Sequence, residues 1–132
     1  MKYWNFKEYK SDAGHKEFTK WIEEQPKEAK AAIHVTMEQV EIRKLLGPPF
    51  TEKLSGADDI WELKAKAANI QYRPLFCLGQ PGEIIFLIGA TKTGDRRKVK
   101  WNPSSAIQTA GKRRKLVLAD RRYVDEYKRS KK

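Results

Sequence analysis

Aromatic and polar residues alternate from Tyr3 to Lys10, with Trp4, Phe6 and Glu8 on one side and Tyr3, Asn5 and Lys7 on the other. That is the period of a half-buried strand. From about His15 the period lengthens, and Phe18, Trp21 and Ile22 share one helical face until Pro26 stops the helix and opens the next. Ala29, Ile33, Met37 and Val40 then make an apolar stripe, with Glu and Lys opposite, up to the stop at Gly47-Pro48-Pro49. The pattern predicts two antiparallel helices joined at Pro26. After a polar loop from Thr51 to Asp59, extended segments Ile60 to Lys66, Ile70 to Leu78 and Glu83 to Ala90 read as an antiparallel meander. Gly79-Gln80-Pro81-Gly82 supplies hairpin chemistry, and Ile84 to Ile88 is apolar on both faces, as a central strand covered on two sides would be. A charged loop from Thr91 to Lys100 leads to Asn102-Pro103, read as an N-cap and first helical position. The C-terminal helix beginning there has Ile107, Ala110, Val117, Leu118 and Val124 on its inner side, with Gly111 and the Asp120 region as potential breaks.

Composition narrows the class. A chain of 132 residues with 39% hydrophobic content fits one domain with a modest core. There is no apolar leader, and no run approaches the roughly 18 apolar residues of a membrane span, so a cytoplasmic protein without a membrane partner is expected. One cysteine, Cys77, excludes an internal disulfide, and with His15 and His34 it makes no zinc constellation; a buried strand thiol is the expectation. The two histidines fall on the predicted helices, where they read as surface or core-edge groups.

Charge adds a partner. Up to Ala90 there are thirteen Lys and Arg against thirteen Asp and Glu, whereas from Thr91 onward there are fifteen against four, which is the whole formal +11. A basic tail on a neutral body points to a polyanion. Trp101, Val117, Leu118, Tyr123, Val124 and Tyr127 interrupt it at spacings that suit packed structure, so nucleic acid is the leading partner. Tyr123 and Tyr127 read as packing groups, and Lys128 to Lys132 as either a solvated tail or a contact to nucleic acid.

In the meander, parity puts Trp61, Leu63 and Ala65 on one face and Glu62, Lys64 and Lys66 on the other. In the next segment Tyr72, Phe76 and Leu78 oppose Arg73, Leu75 and Cys77, leaving Arg73 as the one charge of an apolar strand. Two readings stand side by side: an ion pair to Glu62 on the neighbouring strand, or a guanidinium fork for phosphoryl oxygens.

Leu46-Gly47-Pro48-Pro49-Phe50-Thr51-Glu52-Lys53-Leu54, Ile60-Trp61-Glu62-Leu63-Lys64, Tyr72-Arg73-Pro74-Leu75-Phe76, and Asn102-Pro103 with Ile107, Ala110 and Lys112-Arg113-Arg114 together resemble the phage-derived HigB-like branch of the RelE toxin superfamily. The resemblance runs from about Tyr3 to Tyr127. It implies an α+β, RelE-like fold, in which an N-terminal helical hairpin packs on a twisted antiparallel sheet with a C-terminal helix. One toxin domain would span 1–127, with a basic tail at 128–132.

It also implies a bacterial or phage-encoded toxin of a type II toxin–antitoxin system that cuts mRNA on the ribosome. The RNA 2′-hydroxyl is the nucleophile in such families, so neither metal nor cofactor is expected. Positive charge must then stabilise the pentavalent phosphorane. By position the resemblance gives Arg73 the transition-state charge, Lys64 electrostatic or proton-transfer help, and Arg96 a further catalytic cation. Lys66, Lys92, Arg97, Lys98 and Trp101 would contact RNA or the ribosome, as would Lys112, Arg113 and Arg114 where they are more than a solvated helix face. A helix-turn-helix, HigA-like antitoxin is the implied partner, beside ribosome and mRNA. Departures from the family pattern are the missing histidine near Phe86 to Ala90, Pro74 directly after Arg73, and a long loop from Ala65 to Gln71 that would displace Lys64. Two other readings remain open at this point: an RNA- or ribosome-binding protein without cleavage, and a ParE-like DNA gyrase inhibitor.

Overall fold

The computed structural model describes residues 1–94 and 98–129. The apolar run at Ile84 to Ile88 becomes the middle of a six-stranded sheet, as its two apolar faces require. The elements are β1 (Asn5–Tyr9), α1 (Glu17–Glu23), α2 (Lys27–Glu41), β2 (Thr51–Lys53), β3 (Trp61–Leu63), β4 (Ala65–Ala67), β5 (Ile70–Tyr72), β6 (Leu75–Leu78), β7 (Glu83–Ile88), β8 (Thr91–Thr93), β9 (Lys100–Asn102), α3 (Ala106–Ala119), a 3₁₀ turn (Arg121–Tyr123) and β10 (Val124–Glu126). The larger sheet has the order β10-β1-β7-β6-β3-β2 and the smaller one β4-β5-β8-β9.

The class is α+β, but the expected architecture of a helical hairpin on one antiparallel sheet is overturned. Among the described residues there are three α-helices and ten strands in two sheets, and the larger sheet is mixed because β1 runs parallel to β7. The two N-terminal helices approach different strands most closely: α1 lies on β1 and β7, whereas α2 lies on β4. Thr51–Lys53, expected as loop, pairs with β3, and Thr91–Thr93 pairs with β9 in place of a charged loop. The supposed loop from Ala65 to Gln71 is a tight hairpin, turning on Ala68 and Asn69 in the left-handed region (φ 49° and 64°). Asn102 belongs to β9, and α3 starts after Ser105 rather than at Pro103; it runs unbroken through Gly111. Three-residue strands are too short to print a period on the sequence, which is why they escaped it.

Three strands pass from one sheet into the other. Glu62↔Leu75 belongs to the large sheet and Ala65↔Tyr72 to the small one, and the same register spans the gap. Leu63 N–H donates to Pro74 O (2.9 Å) and Arg73 N–H to Ala90 O (2.8 Å), so Lys64, Arg73 and Ala90 form the row between the ladders. Pro74 has no N–H to offer, and the β6–β7 pairing shifts register between Leu75 and Phe76. The ladders are interrupted at this row.

Each face of the large sheet is covered by helix. Phe18, Ile22, Ile33, Met37 and Val40 from α1 and α2 pack with Phe6, Leu63, Phe76, Ile84 and Phe86. Ala106, Ala110 and Val117 of α3 pack with Leu75, Cys77, Ile85 and Leu87 on the opposite face. Gly89 ends β7 under Trp21, where a Cβ would overlap the indole ring. Tyr127 stacks edge-on against Phe18 and Phe86 and shares a 2.8 Å hydrogen bond with His34, and buried Tyr123 stacks on Tyr9, so the packing reading holds for both tyrosines.

One buried charge serves the fold. Helix α1 has no side-chain cap from its own N-cap residue, Lys16. Glu8, on β1 and 0% exposed, takes that role from outside the helix, accepting from Thr19 N–H (3.0 Å) and Thr19 Oγ1 (2.5 Å). Burial nevertheless raises its pKa, against the pull of Thr19 and of Lys16 at 3.6 Å. Among the described residues no helix is long and apolar enough to cross a membrane.

Candidate functional site

The face of the sheet that α3 covers over β6 and β7 continues past the end of that helix onto the small sheet, and there it becomes polar. Cross-strand pairing aligns Lys66 with Gln71, Gln71 with Lys92, and Lys92 with Trp101 in a single row. The neighbouring row holds Lys64 and Arg73, and the next holds Glu52 opposite Glu62. Five of the residues singled out from sequence, Lys64, Lys66, Arg73, Lys92 and Trp101, therefore share one patch. Strand alternation alone puts them there.

Arg73 is committed inside the protein. It is 8% exposed, with Nε 3.1 Å from Glu62 Oε1 in an ion pair that is not aligned as a hydrogen bond. Its Nη1 donates to Ala65 O (2.7 Å) and Tyr72 O (3.1 Å), and Nη2 donates to Gln71 Oε1 (2.9 Å). Burial lowers its pKa, with Glu62 and Glu52 opposing, and a guanidinium in this setting remains a cation. Of the two sequence readings the ion pair to Glu62 is the one formed. The guanidinium clasps the β4–β5 hairpin to the interrupted row.

Glu62 is shared. Its buried carboxylate also receives Lys92 Nζ at 3.1 and 3.3 Å, and that ammonium stands 5.3 Å from the centre of the Trp101 ring. One carboxylate held between two cations satisfies the condition under which buried charge is tolerated. It also fixes Lys92 against one face of Trp101. Lys64 is organised differently: its ammonium donates to Glu52 Oε1 at 2.9 Å, and Glu52 is half exposed. That hydrogen bond holds the Glu52 carboxyl below its usual range. The 65–71 hairpin leaves Lys64 in register beside Arg73.

Arg96 and Arg97 fall outside the described residues. Lys98 and Lys112 are exposed. Arg113 turns toward α1, donating to Leu87 O (2.9 Å), pairing with Glu17 and covering the Tyr9 ring at 4.8 Å. Arg114 reaches Asp59 at 3.5 Å, beyond the far end of β3. The α3 cations are thus not gathered onto the sheet patch. His15 and His34 are outside it too, and burial pushes the Cys77 thiol up to about 12 under α3, where it is inert. Among the described residues no cluster of His, Cys, Asp and Glu could hold a metal ion. A cavity of about 690 Å³ between α1 and α3, bordered by Lys20, Trp21, Gly89, Pro103 and Arg113, is separate from the charge cluster.

Sequence reasoning missed Glu52 and Gln71 as members of the patch. Gln71 follows from the same parity as Arg73, but Glu52 needed the recognition of β2, which places it directly across from Glu62.

Residues 20–115 match the family described as phage derived protein Gp49-like. The chain belongs to this toxin-like family. The match takes in the second half of α1, all of α2, strands β2 to β9 and most of α3, and so includes every described residue of the charge cluster. In this Gp49-like chain β1 and β10 lie outside the matched region. No curated protein and no solved structure matches the chain.

Proposed function

We propose that this Gp49-like protein is the toxin of a type II toxin–antitoxin pair and acts as a ribosome-dependent mRNA endonuclease. The observation that carries the reading is the convergence of Lys64, Lys66, Lys92 and Trp101 on one sheet face, next to buried counter-charges that hold Lys92 in place. Such a patch suits a single RNA strand: ammonium groups for successive phosphates and an indole edge beside a base.

Cleavage follows a metal-free course. The 2′-hydroxyl oxygen attacks the adjacent phosphorus while its proton passes to solvent. Lys64 offsets the charge on the phosphorane and protonates the departing 5′-oxygen. The products are a 2′,3′-cyclic phosphate and a free 5′-hydroxyl, and Lys64 regains its proton from water. Arg73 supports this as a positioning residue through Glu62 and Lys92, since its own fork is filled by protein oxygens. The partner in this reading is a helix-turn-helix antitoxin encoded beside the toxin.

The test is a bacterial cell-free translation reaction with mRNA ends mapped, a ribosome-free control, and Lys64→Ala and Lys92→Ala alongside. New ends that require ribosomes and fall roughly a hundredfold or more with Lys64→Ala are expected, the usual cost of removing one transition-state donor. Intact mRNA at high protein concentration overturns the nuclease reading.

A second reading, RNA or ribosome binding without cleavage, draws on two observations. Both terminal nitrogens of the Arg73 guanidinium are taken by protein oxygens, and neither His15 nor His34 joins the cluster. Inhibited translation without new mRNA ends would select it. A supercoiling assay addresses the gyrase alternative.

A further inference from the structure

The three paired cations of the patch are not held alike. Arg73 and Lys92 share Glu62, whose side chain is 3% exposed and enclosed from both sides. Lys64 has Glu52, whose side chain is 52% exposed and receives no other hydrogen bond among the described residues. An exposed pair of this kind is held weakly, because solvent screens it and both side chains lose freedom to make it.

Three features make Glu52 the movable partner. It sits on β2, a three-residue strand at the edge of the large sheet that, among the described residues, pairs only with β3. It stands directly across from Glu62, and like charges opposite one another on neighbouring strands repel unless each is neutralised. Its carboxylate also takes one of the three donors of the Lys64 ammonium, in a charge-assisted bond that a phosphodiester oxygen would equally make.

We propose that Glu52 is an internal occupant of a phosphate subsite at Lys64 Nζ, and that an RNA phosphodiester binds there by displacing it. This rests on the RNA reading above and adds a regulator to that site: the protein carries its own competing anion. Binding at Lys64 then exchanges one anion for another, and the displaced carboxylate swings into solvent while still repelling the incoming phosphate. Glu62 cannot play this part, because releasing it would strand Arg73 and Lys92 together in a buried setting.

The test uses the full chain and an uncleavable 2′-O-methyl RNA oligonucleotide, with dissociation constants from fluorescence anisotropy for wild type, Glu52→Gln, Lys64→Ala and the double variant. Glu52→Gln is expected to tighten binding about three- to tenfold, the size of losing one screened competitor. In the Lys64→Ala background the same change is expected to alter affinity less than about twofold, which is the coupling that identifies the pair. An equal gain in both backgrounds overturns the proposal in favour of diffuse electrostatics. Weaker or unchanged binding by Glu52→Gln overturns it too, and so does the absence of binding by wild type and Glu52→Gln alike. Urea unfolding of each variant separates these outcomes from loss of fold. The mRNA ends in the translation reaction judge the nuclease reading independently, so either idea can fail alone.

Discussion

Strands β6 and β7 and their continuations β5 and β8 are the same stretches of chain, yet their α3-side faces have opposite chemistry. In the large sheet that face carries Leu75, Cys77, Ile85 and Leu87, all essentially without solvent exposure. From the row of Lys64, Arg73 and Ala90 onward it carries Arg73, Gln71 and Lys92. The difference is coverage: α3 packs on β6 and β7. Where a helix covers the strand, each large apolar side chain contributes about 1.5–3 kcal/mol by leaving water. Where it does not, paired charges roughly break even between desolvation and attraction, so they add chemistry at little net stability. One half of the molecule keeps it folded, and the other half keeps a set of cations arranged.

The contrast can be broken most severely from the apolar half. Phe86→Ala on β7 removes a ring stacked on Phe18 at 4.3 Å and is expected to cost about 3–5 kcal/mol in urea unfolding. A loss under about 1 kcal/mol would mean that β7 is not the centre of the core.

Glu62→Ala tests the polar half. It leaves Arg73 and Lys92 facing one another without the buried carboxylate they share, and the expected cost is about 3 kcal/mol. This variant should lose RNA function as well as stability, whereas Phe86→Ala assayed well below its melting temperature should keep activity per folded molecule. Equal effects of the two on function would dissolve the division.

Gly89→Ala probes the junction, next to Ala90. Its new methyl meets the Trp21 indole, so unfolding free energy should fall by about 1–3 kcal/mol, with a shifted Trp fluorescence maximum in the native state. Unchanged fluorescence and stability would show that the ring has room to retreat.

Glu8→Gln is the mildest change. The amide retains an acceptor for Thr19 N–H and sheds a buried charge, so stability at neutral pH should stay within about 1 kcal/mol of wild type. Because the folded pKa of Glu8 is raised above its ordinary 4.5, the native state holds more protons between those two values. Stability therefore falls as pH rises through the folded pKa, and Glu8→Gln should flatten that part of the profile. An unaltered slope in urea titrations across the mildly acidic range would assign it to another group.

The sequence reveals the elements whose pattern is long enough to repeat. The Ala29, Ile33, Met37 and Val40 stripe, the two-sided apolar run of β7, and the parity that joins Glu62 to Lys64 and Lys66 all survive in the structure. Arg73 against Glu62 was legible as a pair because both residues fall in extended segments that the sequence pattern shows. Strands β2, β8, β9 and β10 were not, since three residues carry no period, and Ala68 in a left-handed turn gives no signal of the kind glycine gives. The parallel contact of β1 with β7 joins residues far apart in the chain, which no local pattern encodes. Glu52 was hidden for the first of these reasons, and the patch gained its second carboxylate only when β2 became visible.

The order of the large sheet also governs how the protein comes into being. Strand β1 is flanked by β7 and β10, both of which are synthesised after it, the second of them only at Val124–Glu126. A nascent chain therefore holds β1 without a strand partner until β7 has emerged, and with one edge open until Val124–Glu126 follow. Assembly must wait on contacts of long sequence separation, which slow folding. On the ribosome the large sheet stays incomplete until Val124–Glu126 have been made.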